Sequence, residues 1–168
     1  MPESAAPALS ATTGASGTLT AEAMLEHWQG HRRLTRRTIV AFPEDQLFSF
    51  SVGGMRPFGT LAMEMLGMGA PFVRGIVTDM WEPYADQKAA SRDELLALWD
   101  KATAEISSQW SQIPRQRFSE TIKAFGQYEG RVTDLVLYVI DNEVHHRGQG
   151  YVYLRVLGIE PPPFWERE

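Results

Sequence analysis

The 168-residue sequence contains no cysteine, which excludes disulfides, thiolate-held zinc and a cysteine nucleophile together. That absence agrees with a reducing compartment. The chain also lacks a surplus of positive charge. Its 16 Lys and Arg stand against 21 Asp and Glu, for a net charge of −5, so no nucleic-acid partner is expected. Long hydrophobic runs are missing too. The longest aliphatic and aromatic run is Leu135–Ile140, far below the roughly 20 residues that cross a bilayer, and no membrane partner is expected. Met1–Leu19 is built mostly of Ala, Ser, Thr, Gly and Pro, with no Lys or Arg. It has neither the basic start nor the apolar core of a secretory signal. The expectation is a disordered N-terminal extension over 1–19, followed by one domain over 20–168 in a cytoplasmic protein.

What is present suits a folded core. Hydrophobic residues make up 43% of the chain and charged residues 22%, ordinary values for a globular domain. Four stretches carry helical periodicity. The first runs from a capping Thr20 to Phe42 before Pro43, with Met24, Trp28, Leu34 and Thr38 inward and Arg32, Arg33, Arg36 and Arg37 on the outer side. The second opens at Pro57 and reaches about Met80, with Leu61, Met65, Met68 and Phe72 as its stripe and a kink expected near Pro71. The third begins at the capping box Ser91–Glu94 and ends before Pro114. The fourth spans about Gly130 to Leu157, closed by Gly158 and Pro161-Pro162-Pro163. Leu47–Met55 reads as an extended loop turning at Gly53-Gly54, and Arg115–Tyr128 as a long polar loop. With no convincing strand pair, the fold class is all-α, a four-helix bundle.

Two places break the apolar stripes. On the fourth helix Asn142 and His146 fall four residues apart among Val132, Leu135, Val139, Tyr153 and Leu154, so both point to one face. An inward histidine of this kind is either a satisfied core residue or a ligand. On the second helix Glu64 is the only ionisable residue between Arg56 and Arg74. A buried carboxylate needs compensation, from a cation, a protonated His146 or the Asn142 amide, unless it rotates to solvent. His27 and His31 also have an i, i+4 spacing, but among Glu26, Gln29 and four arginines they read as a solvated face, with His27 the better placed to look inward.

The stretch Asn142-Glu143-Val144-His145-His146-Arg147-Gly148-Gln149, followed by Tyr153-Leu154-Arg155, Gly158 and the three prolines, resembles the C-terminal helix of the DinB-like superfamily. The likeness continues more weakly from Thr20 to Glu168. It implies up-down-down-up connectivity, a homodimer, and a divalent-metal site of three histidines, one on the second helix and two at H-x-x-x-H spacing on the fourth. Relatives include transferases and isomerases that use a low-molecular-weight thiol. The family name refers to induction by DNA damage and implies no action on DNA.

Carried onto this chain, one histidine survives. His146 matches the last ligand, Asn142 stands at the other fourth-helix position, and Glu64 stands at or near the second-helix position. The metal set so implied is Glu64, Asn142 and His146. Three imidazoles suit zinc or nickel, whereas a carboxylate, an amide and one imidazole suit manganese or magnesium, or zinc held loosely. Two functions remain open on these grounds. One is a metal-dependent transferase or hydrolase acting on a small molecule. The other is a non-catalytic dimeric bundle in which the trio has become a buried hydrogen-bond network. Leu137, Val144, Tyr151 and Val152 lie off the inward stripe, and an apolar second side on this helix also points to a partner copy.

Overall fold

The computed structural model describes residues 19–82 and 88–168. The extension expected over 1–19 therefore lies outside the described residues except for Leu19. Four helices form: α1 (Ala21–Ala41), α2 (Phe58–Thr78), α3 (Arg92–Trp110) and α4 (Val132–Val156). Their ends follow local chemistry. Thr20 Oγ1 accepts from the Ala23 N–H at 3.1 Å and Ser91 Oγ from the Glu94 N–H at 3.2 Å, each satisfying an otherwise orphaned donor. Gly158, at φ +76°, ends α4 in the left-handed conformation that costs glycine nothing. Pro71 lies within α2, which continues through it to Thr78.

Two apolar clusters reveal the direction of each helix. One joins Met24 and Trp28 of α1, Phe72 and Ile76 of α2, Ile106 and Trp110 of α3, and Val132 and Val136 of α4. The other joins Ile39, Leu61, Leu95 and Leu154 with Phe42, just past the end of α1. The start of α1 therefore lies with the start of α4 and the ends of α2 and α3. Up-down-down-up connectivity is the result, with α2 and α3 parallel. α1 packs on α3 and α4, and α2 packs on the same two helices.

Two expectations need correcting. The segment after α3 is not a plain loop: a 3-10 turn, Arg115–Ser119, leads into an antiparallel hairpin of β1 (Thr121–Ala124) and β2 (Tyr128–Arg131). Ile122 and Ala124 alternate inward and close the end of the core. The turn places Phe125 and Gly126 at φ +51° and +72°. Leu47–Met55 is a loop, as expected, but begins in successive turns rather than extended, and Gly53-Gly54 forms its expected bend. Beyond α4 the chain folds back along α1, where Arg33 Nε donates to the Arg167 carbonyl at 2.8 Å.

Candidate functional site

Helix α4 approaches α2 closely because Gly150 has no side chain. A Cβ there would lie 2.4 Å from the Phe58 ring. This approach brings His146, one turn earlier, against Glu64. His146 Nε2 is 3.0 Å from Glu64 Oε1, and its Nδ1 is 2.8 Å from Gln149 Oε1. Gln149 Nε2 in turn donates to Met55 Sδ at 3.4 Å, which fixes the amide with its oxygen toward the imidazole. His146 then carries a proton on Nδ1. Its Nε2 faces a carboxylate oxygen, an approach satisfied by a proton on Nε2 or by a cation shared by the two atoms.

The other carboxylate oxygen, Oε2, is 2.5 Å from Arg56 Nη1. Burial by itself would raise the Glu64 carboxyl. The Arg56 and His146 hydrogen bonds and charges outweigh burial and hold the carboxyl below its usual range. Glu64 is 24% exposed and Arg56 53%, so the pair borders solvent. Arg56 is anchored at its backbone, where its carbonyl accepts from Tyr153 Oη at 3.1 Å. Asn142 lies half-buried one turn before His146 and makes no side-chain hydrogen bond among the described residues. The structure thus joins Glu64 to His146 directly, while Asn142, one helical turn from His146, hydrogen-bonds to neither. Among the described residues no group of three or more His, Cys, Asp or Glu stands close enough to hold a metal ion.

A second polar cluster, missed in the sequence, fills the middle of the bundle between α1, α3 and α4. Glu143, only 2% exposed, accepts from Trp28 Nε1 at 3.1 Å and Thr35 Oγ1 at 2.7 Å. Arg32 Nη1 lies 3.7 Å from it. The Arg32 guanidinium stacks 3.5 Å over the Trp99 ring and donates to Thr103 Oγ1 and the Trp99 carbonyl. Burial pushes its pKa down to about 10 against the attraction of Glu143. Arg32 is therefore not on the outer side of α1, as expected, but 1% exposed. The stretch of arginines conceals it, since only its tertiary neighbours set it apart from Arg33.

The histidine pair is corrected in the same way. His31 is buried and His27 exposed, the reverse of the expected order. Their Nε2 atoms are 3.2 Å apart, and His31 Nδ1 accepts from Arg147 Nη2 at 2.9 Å. With Nδ1 accepting, neutral His31 carries its proton on Nε2 and donates it to His27. No lone pair of His31 is left for a metal. Burial, then the Arg147 charge, holds the His31 pKa down to about 3.

The DinB family model matches residues 16–167. Two solved structures share the fold. A DinB-like protein from Bacillus cereus superposes with a TM-score of 0.69 at 19% identity, covering 84% of this chain and 95% of its own. A DinB-like protein from Bacillus subtilis, YjoA, gives 0.70 at 20% identity, covering 85% and 96%. At such identity the likeness establishes the fold. No curated protein matches the chain.

Proposed function

The chain belongs to the DinB family, and from that footing we propose that Glu64 and His146, assisted by Asn142, form a weak divalent-cation site serving a metal-dependent transferase or hydrolase reaction on a small molecule. The carrying observation is the 3.0 Å approach of His146 Nε2 to Glu64 Oε1. It is the spacing of two neighbouring donor atoms that share one ion at about 2.1 Å. The tautomer set by Gln149 turns the Nε2 lone pair toward the carboxylate, as metal-binding histidines are oriented by a hydrogen bond at the other nitrogen. The donor set fits manganese or magnesium, and zinc or nickel more loosely. Such an ion, when bound, lowers the pKa of a coordinated water or low-molecular-weight thiol. The chain itself supplies an orienting amide in Gln149 and a cation at the mouth in Arg56.

A second reading has a specific observation behind it: both Glu64 oxygens are already engaged, by His146 and Arg56. On that reading the trio is a closed network in a non-catalytic bundle. Calorimetric titration with zinc and manganese separates the two. On the cation-site reading Asn142→His binds zinc ten- to hundred-fold more tightly than the parent, about 1.4–2.7 kcal/mol. His146→Ala abolishes binding, and the exposed His27→Ala leaves it unchanged. If Asn142→His gains nothing, the cation site is rejected.

The exposed apolar side of α4, with Leu137, Val144, Val152 and Val156, supports a homodimer as part of this proposal. Light scattering at high micromolar concentration then returns twice the mass of one chain, and a monomer rejects it.

A further inference from the structure

Arg56 stands apart from the other cations of the molecule by where its backbone and its charge sit. Its carbonyl is tied to Tyr153, a fully buried residue of α4. Its half-exposed guanidinium reaches Glu64 Oε2 from the rim. The peptide leading to it bends at Gly53 and Gly54, both at positive φ. The side chain therefore has a fixed root and a half-exposed head at the rim.

Charge decides what that head binds. In the cation-free site, Glu64 lies between Arg56 and His146. A divalent ion at Glu64 and His146, beside Arg56, would bring the local sum to about +2, and the described residues hold little with which to answer it. Glu64 is the only acid between Arg56 and Arg74. The residues of α4 beside it, Asn142, His146 and Gln149, offer no carboxylate. Glu143 is committed to Trp28, Thr35 and Arg32 on another face. A half-buried excess of positive charge calls for an anionic ligand. A guanidinium with a planar fork of donors is the side chain best shaped to hold a carboxylate or phosphate.

On the cation-site reading, we infer that Arg56 is an exchangeable counter-ion: it neutralises Glu64 in the cation-free protein and, when a divalent ion takes that carboxylate, binds the carboxylate or phosphate group of a small anionic substrate. Arg56 thereby competes with the cation when no anion is present and cooperates with it when one is. A purely structural arginine does neither.

Calorimetric titration of the full chain with manganese, alone and with acetate or methylphosphonate in excess, tests this on the parent, Arg56→Gln and Arg56→Lys. In the parent at least one anion tightens manganese binding tenfold or more, while neither anion alone shifts the melting temperature. In Arg56→Gln manganese binds more tightly than in the parent without anion, by three-fold or more, and the anion effect disappears. Arg56→Lys keeps a reduced anion effect. Coupling to acetate alone assigns a carboxylate, and coupling to methylphosphonate alone assigns a phosphate. If the parent binds manganese with an affinity no anion changes, or Arg56→Gln retains the full coupling, the role of Arg56 is overturned while the cation site stands. If no variant binds manganese or zinc under any condition, the cation site itself falls, and this role with it.

Discussion

Helix α4 presents two ionisable faces that begin one residue apart, about 100° around the helix. Glu143 and Arg147 face α1, and Asn142 and His146 face α2. The first pair is buried in a closed set of donors and acceptors: Trp28, Thr35 and Arg32 hold Glu143, while Thr35 and His31 hold Arg147. The second borders solvent, and its carboxylate is held by His146 and by Arg56, whose guanidinium is half-exposed. Depth of burial alone would single out the first cluster. The proposed cation site rests on the second, because a site must admit a ligand without leaving a charge stranded in the core.

The sharpest way to break this comparison is to remove the anion of the closed cluster. Glu143→Ala leaves Arg32 and Arg147 buried without their carboxylate, and a loss of about 3–5 kcal/mol in urea denaturation is expected. A loss below about 1 kcal/mol means that Glu143 does not hold the centre of the bundle.

Acid titration gives the next largest effect. The folded pKa of His31, about 3, is below the ordinary 6.5, so the unfolded chain takes up a proton that the folded chain refuses. The stability conferred by neutral His31 is fully present above pH 6.5 and falls as pH drops through the window from 6.5 toward 3, at up to about 1.4 kcal/mol per pH unit. The carboxyls of Glu64 and Asp100, both held low, add losses of the same sign as pH falls through their ordinary values of 4.5 and 3.8. Denaturation between pH 7 and 5 therefore reads chiefly the histidine, with about 2 kcal/mol lost by the parent. His31→Gln, which cannot titrate, flattens that part of the curve. An equally steep curve for the variant contradicts the assignment.

What was legible in the sequence was local. Thr20, Ser91 and Gly158 mark helix ends because capping depends on a few neighbouring atoms, and all three act as their residue types suggest. Glu64 was visible as a lone charge on an apolar helix, and His146 as a polar break four residues after Asn142. The hairpin was not legible, since four-residue strands carry too little alternation to stand out and one turn position is a phenylalanine in left-handed geometry. Glu143 and Arg147 were hidden by their own spacing. An acid four residues before an arginine is the usual mark of an exposed helical pair, yet both continue the buried series Val136, Ile140, Gly150 and Leu154. Arg56 and Gln149 escaped notice because their roles depend on contacts with α2, with α4 and with the loop carrying Met55. No periodicity encodes those contacts.

The smallest structural change carries the most direct test. Glu64→Gln keeps the shape of the site and removes its carboxylate charge. Because Glu64 is part-exposed, the metal-free protein should shift its melting temperature by no more than about 2–3 °C, under about 1 kcal/mol. Zinc and manganese affinity, measured by calorimetry on the same sample, should fall at least tenfold, about 1.4 kcal/mol or more. A variant that melts at the parent temperature or above and binds metal as the parent does, or a parent that binds none, contradicts the cation site and leaves α4 with two structural networks.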